Sequence, residues 1–170
     1  AITAAVLSSC SAGDHALVQA TVYGGTATFF QRDAPRFGLS HTRIDPTQPE
    51  TWDAALTDKT RLFYVESVSN PLLGLTDLPG VLDFARRHNL ITVVDNTFLS
   101  PINLRPGPHG FDLVVHSATK YLNGHSDLCA GTVAGSFKRV EAARQLLNRL
   151  GGTLDPHAAF LLERGIKTLG

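Results

Sequence analysis

The sequence of 170 residues contains no methionine, only two cysteines and no excess of charge of either sign. Cys10 and Cys129 are far apart and belong to no CxxC or Cys/His pair, which argues against a disulfide framework or a zinc site. Fifteen basic residues balance fifteen acidic ones, so the charge pattern gives no indication of binding to nucleic acid or an anionic membrane surface. No apolar run reaches the length of a transmembrane helix, and no secretory signal pattern opens the chain. We therefore expect a cytoplasmic protein without nucleic-acid or membrane partners.

The absence of methionine extends to position 1, which leads us to expect an excerpt from a longer protein. Hydrophobic residues make up 43% of the chain and charged residues 18%, enough to bury a core. We expect residues 1–170 to form one globular domain, or a large part of one.

Strand-like and helix-like patterns alternate along the chain. The last two strand-like runs are short, rich in β-branched residues and almost without polar alternation, which is typical of parallel strands covered on both faces. The predicted strands cover residues 16–20, 61–66, 90–95 and 112–116.

Helical patterns lie between and after these runs. A first helix is predicted from an apolar stripe, with Thr76 as its cap and an i,i+4 pair of Asp83 with Arg87. A second helix ends at Gly151, and Asp155 caps a third helix that starts with Pro156. The stripes of the first two helices are Leu78, Val81, Leu82 and Ala85, and Val140, Ala143, Leu147 and Leu150.

This alternation predicts a doubly wound α/β fold with a mostly parallel sheet flanked by helices. In such folds ligands bind outside the carboxyl ends of the strands. The polar or aromatic residues that follow the predicted strands are Tyr23, Glu66, Asn70, Asp95, Asn96, Thr97, His116, Ser117, Thr119 and Lys120.

Asp95 ends the buried run "ITVV", where an unpaired carboxylate is costly to desolvate. We expect a positive group or several hydrogen-bond donors to face it. The simpler alternative is that Asp95 caps the turn "DNT" or pairs with an arginine.

Lys120 follows the strand-like run "DLVVH", at a place where burial and charge can turn a lysine amine into a nucleophile toward a carbonyl. Most single lysines are solvated surface residues, which is the alternative here. The hydroxyls of Ser117 and Thr119 lie close by and suit a phosphate group, although such hydroxyls are also common in turns.

These groups together match the chemical handles of pyridoxal 5'-phosphate. An amine suits its aldehyde, a carboxylate its protonated ring nitrogen, hydroxyls its phosphate, and an aromatic side chain its flat ring. The combination is far more specific than any single residue.

The stretches "YGGT", "ESVSNP", "VVDNTF", "VVHSATKYLNGHSD" and "RGIKTL" resemble the Cys/Met-metabolism (trans-sulfuration) family of pyridoxal-phosphate enzymes. That family includes cystathionine γ-synthase, cystathionine γ- and β-lyases, methionine γ-lyase and O-acetylhomoserine sulfhydrylase. The resemblance implies the large cofactor-binding domain of an aspartate-aminotransferase-like enzyme (fold type I). It also implies an amino-acid substrate and a homo-oligomer, a dimer of dimers, in the full-length protein.

The resemblance also implies a role for each site residue. Lys120 would form the Schiff base with the cofactor, Asp95 would pair with the ring nitrogen, and Tyr23 would stack on the ring and serve the leaving group. The supporting residues would be Thr97, beside Asp95 or against the ring; Ser117 and Thr119, on the phosphate; Asn70, on the phenolic oxygen; and Glu66, behind them.

Elimination of the β- or γ-substituent from a cystathionine- or methionine-like substrate is the favoured reaction, with γ-replacement by a thiol as the alternative. An alternative from another class is a fragment or homologue that keeps the fold and subunit contacts without catalysis. The family's Ser-Gly-Met phosphate loop, N-terminal arm and C-terminal domain, with the arginine for the substrate carboxylate, have no counterpart here. We therefore expect these residues alone to bind the cofactor weakly.

A metal site is the less favoured interpretation of His116, His125 and Asp127, because metal sites need three or four convergent ligands. No GxGxxG follows a predicted strand, so a dinucleotide site has no support.

Overall fold

A single sheet of six strands, in the order β2-β1-β3-β4-β5-β6, organises the computed structural model, which describes residues 1–170. The first five strands are parallel and β6 is antiparallel to β5, so the predicted mostly parallel sheet is confirmed. The strands are β1 (His15–Gln19), β2 (Ser40–Ile44), β3 (Thr60–Glu66), β4 (Ile91–Asp95), β5 (Leu113–Ser117) and β6 (Gly131–Gly135).

Seven α-helices connect and flank the strands. They are α1 (Ile2–Leu7), α2 (Gly24–Thr28), α3 (Leu78–His88), α4 (Ser100–Asn103), α5 (Pro106–His109), α6 (Phe137–Leu150) and α7 (Pro156–Ile166). A π-helical turn covers Phe29–Asp33, and short 3-10 turns cover Ala34–Phe37, Pro49–Thr51 and Asp53–Ala55. The longest helix has 14 residues, and none has the length and apolarity that a bilayer crossing requires.

Both faces of the sheet are buried, as the uninterrupted apolar strands predict. Because successive strand residues point to opposite faces, β3 supplies Leu62 and Tyr64 to one core and Phe63 and Val65 to the other. The first core is closed by α1 and the segment around Phe30, and the second by α3 and Trp52. Packing of both cores against the strands fixes where the strands end, and so where the side chains beyond them lie.

The first predicted helix is present, but two of its details were wrong. Asp77, not Thr76, caps α3, because the Asp77 carboxylate accepts the Gly80 N–H at 3.1 Å. Asp83 pairs with Arg86 at i,i+3 (3.2 Å) and not with Arg87. The Arg87 guanidinium lies 5.3 Å from the centre of the Phe84 ring instead, a cation–π contact that competes with the ion pair.

The ends of the last two helices are confirmed. Gly151 ends α6 in the left-handed conformation (φ 80°), which a residue without Cβ adopts at little cost. The Asp155 carboxylate accepts the N–H groups of His157 and Ala158 at 3.0 Å and so caps α7 ahead of Pro156.

Candidate active site

The carboxyl ends of β3, β4 and β5 meet at one edge of the sheet and bring the predicted site residues together. Glu66 and Asp95 are paired in register across β3 and β4, and Asp95 lies opposite Val115 of β5. Ser117, two residues further, ends β5. The prediction that polar residues gather at this edge is therefore correct for the strand ends.

Thr97 links the ends of β4 and β5. Its N–H donates to Asp95 Oδ1 at 2.9 Å and its hydroxyl to the same oxygen at 2.5 Å. The Thr97 hydroxyl oxygen in turn accepts the Ser117 N–H at 2.8 Å. Thr97 lies beside Asp95, and the simpler alternative for Asp95, that its carboxylate caps the turn "DNT", occurs in the structure.

Asp95 forms none of the protein's ion pairs, so the alternative of an arginine partner does not occur. Burial raises the pKa of its carboxyl above the ordinary value, against the effect of the Thr97 hydrogen bonds and the nearby His116 ring. Burial lowers the pKa of His116, against the attraction of Asp95. No arginine or lysine side chain therefore lies within ion-pair distance of this partly desolvated carboxylate.

Glu66 connects two segments of the edge through backbone hydrogen bonds. Its Oε1 accepts the Tyr23 N–H at 2.7 Å and its Oε2 accepts the Asn70 N–H at 3.2 Å. Glu66 is only 4% exposed, and burial raises the pKa of its carboxyl to about 7, with the charge of Asp95 adding to the rise. One buried carboxyl therefore sets the positions of both residues that were predicted to contact the cofactor here.

Gln19 and Thr76 support Glu66 from behind, and the sequence reasoning missed both. Gln19 Oε1 accepts the Glu66 N–H at 2.9 Å, and the Thr76 hydroxyl donates to the Glu66 carbonyl at 2.7 Å. The available signal was a glutamine in the buried β1, where an amide needs a partner.

Tyr23 stands at the start of α2 and is 57% exposed. A Cβ added to Gly25 would lie 2.6 Å from Tyr23 Cε1, so the glycine leaves room for the ring in this orientation. The phenol is therefore accessible above the edge.

Lys120 lies in the turn after β5 and is exposed, so this chain by itself does not bury the amine. Thr119, next to it, is engaged by the backbone. Its hydroxyl donates to the Ala130 carbonyl at 3.2 Å and accepts the Ala130 N–H at 2.9 Å. Ser117 keeps its hydroxyl free of protein partners, so of the two hydroxyls it is the more available to a phosphate.

His116, His125 and Asp127 do not converge on a common point. No group of three or more His, Cys, Asp or Glu residues is arranged to hold a metal ion. Asp127 instead bonds Asn123, and His125 Nδ1 lies 2.5 Å from the Asn123 carbonyl oxygen.

Comparison with known proteins relates this edge to a family. The whole chain, residues 1–170, matches the family described as "Cys/Met metabolism PLP-dependent enzyme". The chain is 43% identical over 171 residues to L-methionine gamma-lyase of Pseudomonas putida, covering 99% of this chain and 43% of that protein. It is also 43% identical over 159 residues to a probable cystathionine gamma-synthase of Herpetosiphon aurantiacus, covering 93% of this chain and 50% of that protein. The chain thus spans half or less of the length of these relatives.

Among solved structures, the fold matches cystathionine gamma-lyase from Lactobacillus plantarum, complexed with L-serine, with a TM-score of 0.92. The two are 40% identical, and the match covers 97% of this chain and 44% of that one. This agreement confirms the predicted fold type, and the family match extends from the first residue to the last. The chain belongs to the family of Cys/Met-metabolism enzymes that depend on pyridoxal phosphate.

Proposed function

We propose that residues 1–170 form most of a cofactor-binding domain, and that the whole protein eliminates the β- or γ-substituent of a cystathionine- or methionine-like amino acid. The observation that carries the proposal is Asp95, a half-buried carboxylate at the edge of the sheet that forms no ion pair with another side chain. The family match supports the cofactor, and the similarity to a methionine lyase and a cystathionine lyase supports elimination.

The residues at the edge fit pyridoxal phosphate. A protonated ring nitrogen would supply the positive charge that Asp95 lacks, and Thr97 already orients the carboxylate toward one geometry. The free hydroxyl of Ser117 suits a phosphate oxygen, and Thr119 would join it by exchanging its bond with Ala130. Asn70, held through its N–H by Glu66, would direct its side chain to the phenolic oxygen.

When bound, pyridoxal phosphate supplies an electron sink for negative charge at the substrate's α-carbon. Asp95 would keep the proton on the ring nitrogen, and the facing cation would lower the pKa of its carboxyl, which burial raises. The Lys120 amine would hold the cofactor through its aldehyde and would move protons between the substrate's carbons. Tyr23 would stack on the ring, and its phenol would protonate the leaving group.

A second candidate is γ-replacement, in which a thiol adds where the substituent has left. It is favoured by the probable cystathionine gamma-synthase, whose identity to this chain equals that of the methionine lyase. Both reactions use the residues named above. Product analysis with cystathionine, methionine and O-acetylhomoserine, with and without added thiol, distinguishes the two.

The first test uses the full-length protein and asks whether the cofactor attaches to Lys120. We expect a visible absorbance band on adding pyridoxal phosphate, and a borohydride-stable adduct on the Lys120 peptide by mass spectrometry. Lys120→Ala should lose both. An adduct on another lysine, or none, would reject the proposal and favour the alternative of a homologue that keeps the fold without catalysis.

We further propose a cytoplasmic location and a homo-oligomer, a dimer of dimers, for the full-length protein. The proposal is supported by the free thiols of Cys10 and Cys129 and by the resemblance to the family. Light scattering on the full-length protein tests the assembly.

A further inference from the structure

The turn that carries Lys120 is a compact structure, residues 118–124, which we call the lysine turn. Its backbone is closed by hydrogen bonds from the N–H of Lys120 to the Ser117 carbonyl (3.0 Å) and from the N–H of Gly124 to the Lys120 carbonyl (2.8 Å). Ala118 and Leu122 are buried in one small cluster, whereas Lys120, midway between them, is exposed. The turn therefore has a packed side and an open side, and the lysine is on the open side.

Helix α7 covers the packed side. Leu162 completes the cluster with Ala118 and Leu122. A Cβ added to Gly165 would lie 2.4 Å from the Asn123 carbonyl oxygen and 2.7 Å from Asn123 Cα, far inside any tolerated contact. Both are backbone atoms, which cannot move away as the end of a flexible side chain can. Glycine at 165 thus lets the helix backbone lie directly against the lysine turn.

A chain of polar side chains joins the same two elements. Asp127 accepts Asn123 Nδ2 on one oxygen at 2.8 Å and Arg164 Nη2 on the other. Asn123 is fully buried. The Arg164 hydrogen bond, followed by that from Asn123, lowers the pKa of Asp127, so the carboxylate stays ionised between its two donors. Charge-assisted hydrogen bonds, together with packing, therefore couple the position of α7 to that of the lysine turn.

We propose that α7 positions Lys120 for its reaction, through Gly165 against Asn123 and through the chain Arg164–Asp127–Asn123. The inference rests on the proposed function, since it assigns these four residues to the support of Lys120 and not to contact with cofactor or substrate. The hydrogen bonds among them run between α7 and the lysine turn, whereas Asn123 Oδ1 and Arg164 Nε have no partner within the chain. A lysine amine that must reach several carbon atoms one after another depends on a fixed backbone, because a shift of about one ångström would misplace the amine.

The test compares Asp127→Asn and Arg164→Gln in the full-length protein, with Glu163→Gln as the matched control. Glu163 lies on the same helix and pairs with Lys167 at 3.5 Å, but both side chains are 72% exposed. In the cofactor-free protein, we expect amide hydrogen exchange in residues 118–124 to become about tenfold faster in both variants, the loss expected for one charge-assisted bond. The control should exchange at the wild-type rate.

With cofactor added, the pH midpoint of the visible absorbance change reports the surroundings of the lysine nitrogen. We expect it to move by about 0.5 pH or more in Asp127→Asn and Arg164→Gln, and not in the control. Wild-type exchange together with a wild-type midpoint would overturn the proposal, and so would faster exchange with an unchanged midpoint, because α7 would then only stabilise the fold. Arg164→Lys, which keeps the charge and one donor, should restore part of both readouts.

Failure of the proposed function gives a different result. If the wild-type protein takes up no cofactor, the absorbance readout is lost for every variant, whereas the exchange measurement still reports whether α7 orders the lysine turn. If the wild-type protein binds cofactor on Lys120 and the variants match it in both readouts, the function stands and the role of α7 is rejected.

Discussion

Replacing Glu66 by glutamine should change how the stability of the protein depends on pH. The side chain keeps its size, but it can no longer ionise, and it offers one acceptor oxygen to the two N–H groups of Tyr23 and Asn70 that Glu66 binds. The substitution therefore separates the charge of Glu66 from its shape.

The magnitude follows from the pKa of Glu66, which burial raises from 4.5 to about 7. This shift corresponds to about 3 kcal/mol of stability. Because the folded pKa lies above the unfolded one, the proton stabilises the fold fully below pH 4.5, and this contribution is lost as the pH rises through 7. Relative to wild type, Glu66→Gln should thus gain about 3 kcal/mol over this range. The backbone N–H that the glutamine leaves without an acceptor, that of Tyr23 or Asn70, lowers the free energy of unfolding by about 1 kcal/mol at every pH. We expect the variant to be less stable at pH 4.5, nearly as stable as wild type at pH 5, and more stable at pH 8.

Trp52, the only tryptophan, is fully buried and reports unfolding by its fluorescence. Urea titrations of wild type and variant between pH 4.5 and 8 give the two free energies of unfolding, and their difference removes groups that titrate equally in both. Glu163→Gln exchanges the same chemical groups at an exposed position and should give a difference that hardly changes with pH. A Glu66→Gln difference that is equally flat would refute the assignment of a buried, titrating carboxyl to Glu66.

Three further outcomes are expected. In the full-length protein, Asp95→Asn should still bind cofactor but slow hydrogen exchange at the substrate's α-carbon about a hundredfold or more, measured by NMR in D₂O; undiminished exchange would contradict its role. His15 bonds two threonine hydroxyls, and burial lowers its pKa, so stability should fall as the pH drops below about 6.5. Urea titrations should find this acid loss reduced in His15→Gln and retained in His157→Gln. Phe84→Ala should lower the free energy of unfolding by about 3–5 kcal/mol, because its ring packs edge-on against Trp52 in the core; a loss below about 1 kcal/mol would mean that the site collapses around the gap.

The central strands were predictable because burial on both faces leaves a continuous apolar run, as in β3, β4 and β5. The edge strands β2 and β6 were not predicted. β2 reads "SHTRI" and β6 reads "GTVAG", and both are largely exposed, so neither carries the apolar pattern of a buried strand. Their place follows from pairing with β1 and β5, which are distant in sequence. The misplaced cap at Thr76 has a similar cause, because its hydroxyl is taken by Glu66 across the sheet edge.

For the site, residue types and their position after strands were enough to propose Lys120, Asp95 and Ser117. The sequence did not indicate that Thr119 is bonded to Ala130, that Glu66 binds the backbone of Tyr23 and Asn70, or that α7 lies against the lysine turn. Each of these contacts joins residues at least four positions apart, and most of them more than ten.

The sequence by itself determined the fold class, the family and the chemistry of the cofactor, because these depend on local patterns: apolar runs, caps and short motifs that each residue meets with its neighbours. Tertiary structure alone decided how far the Asp95 and Glu66 carboxyls are desolvated, which hydroxyl is free, and which helix supports Lys120. The physical reason is that hydrogen bonding and desolvation depend on distances in space, and the fold brings Glu66, Asp95 and Ser117 to one edge from three separate strands.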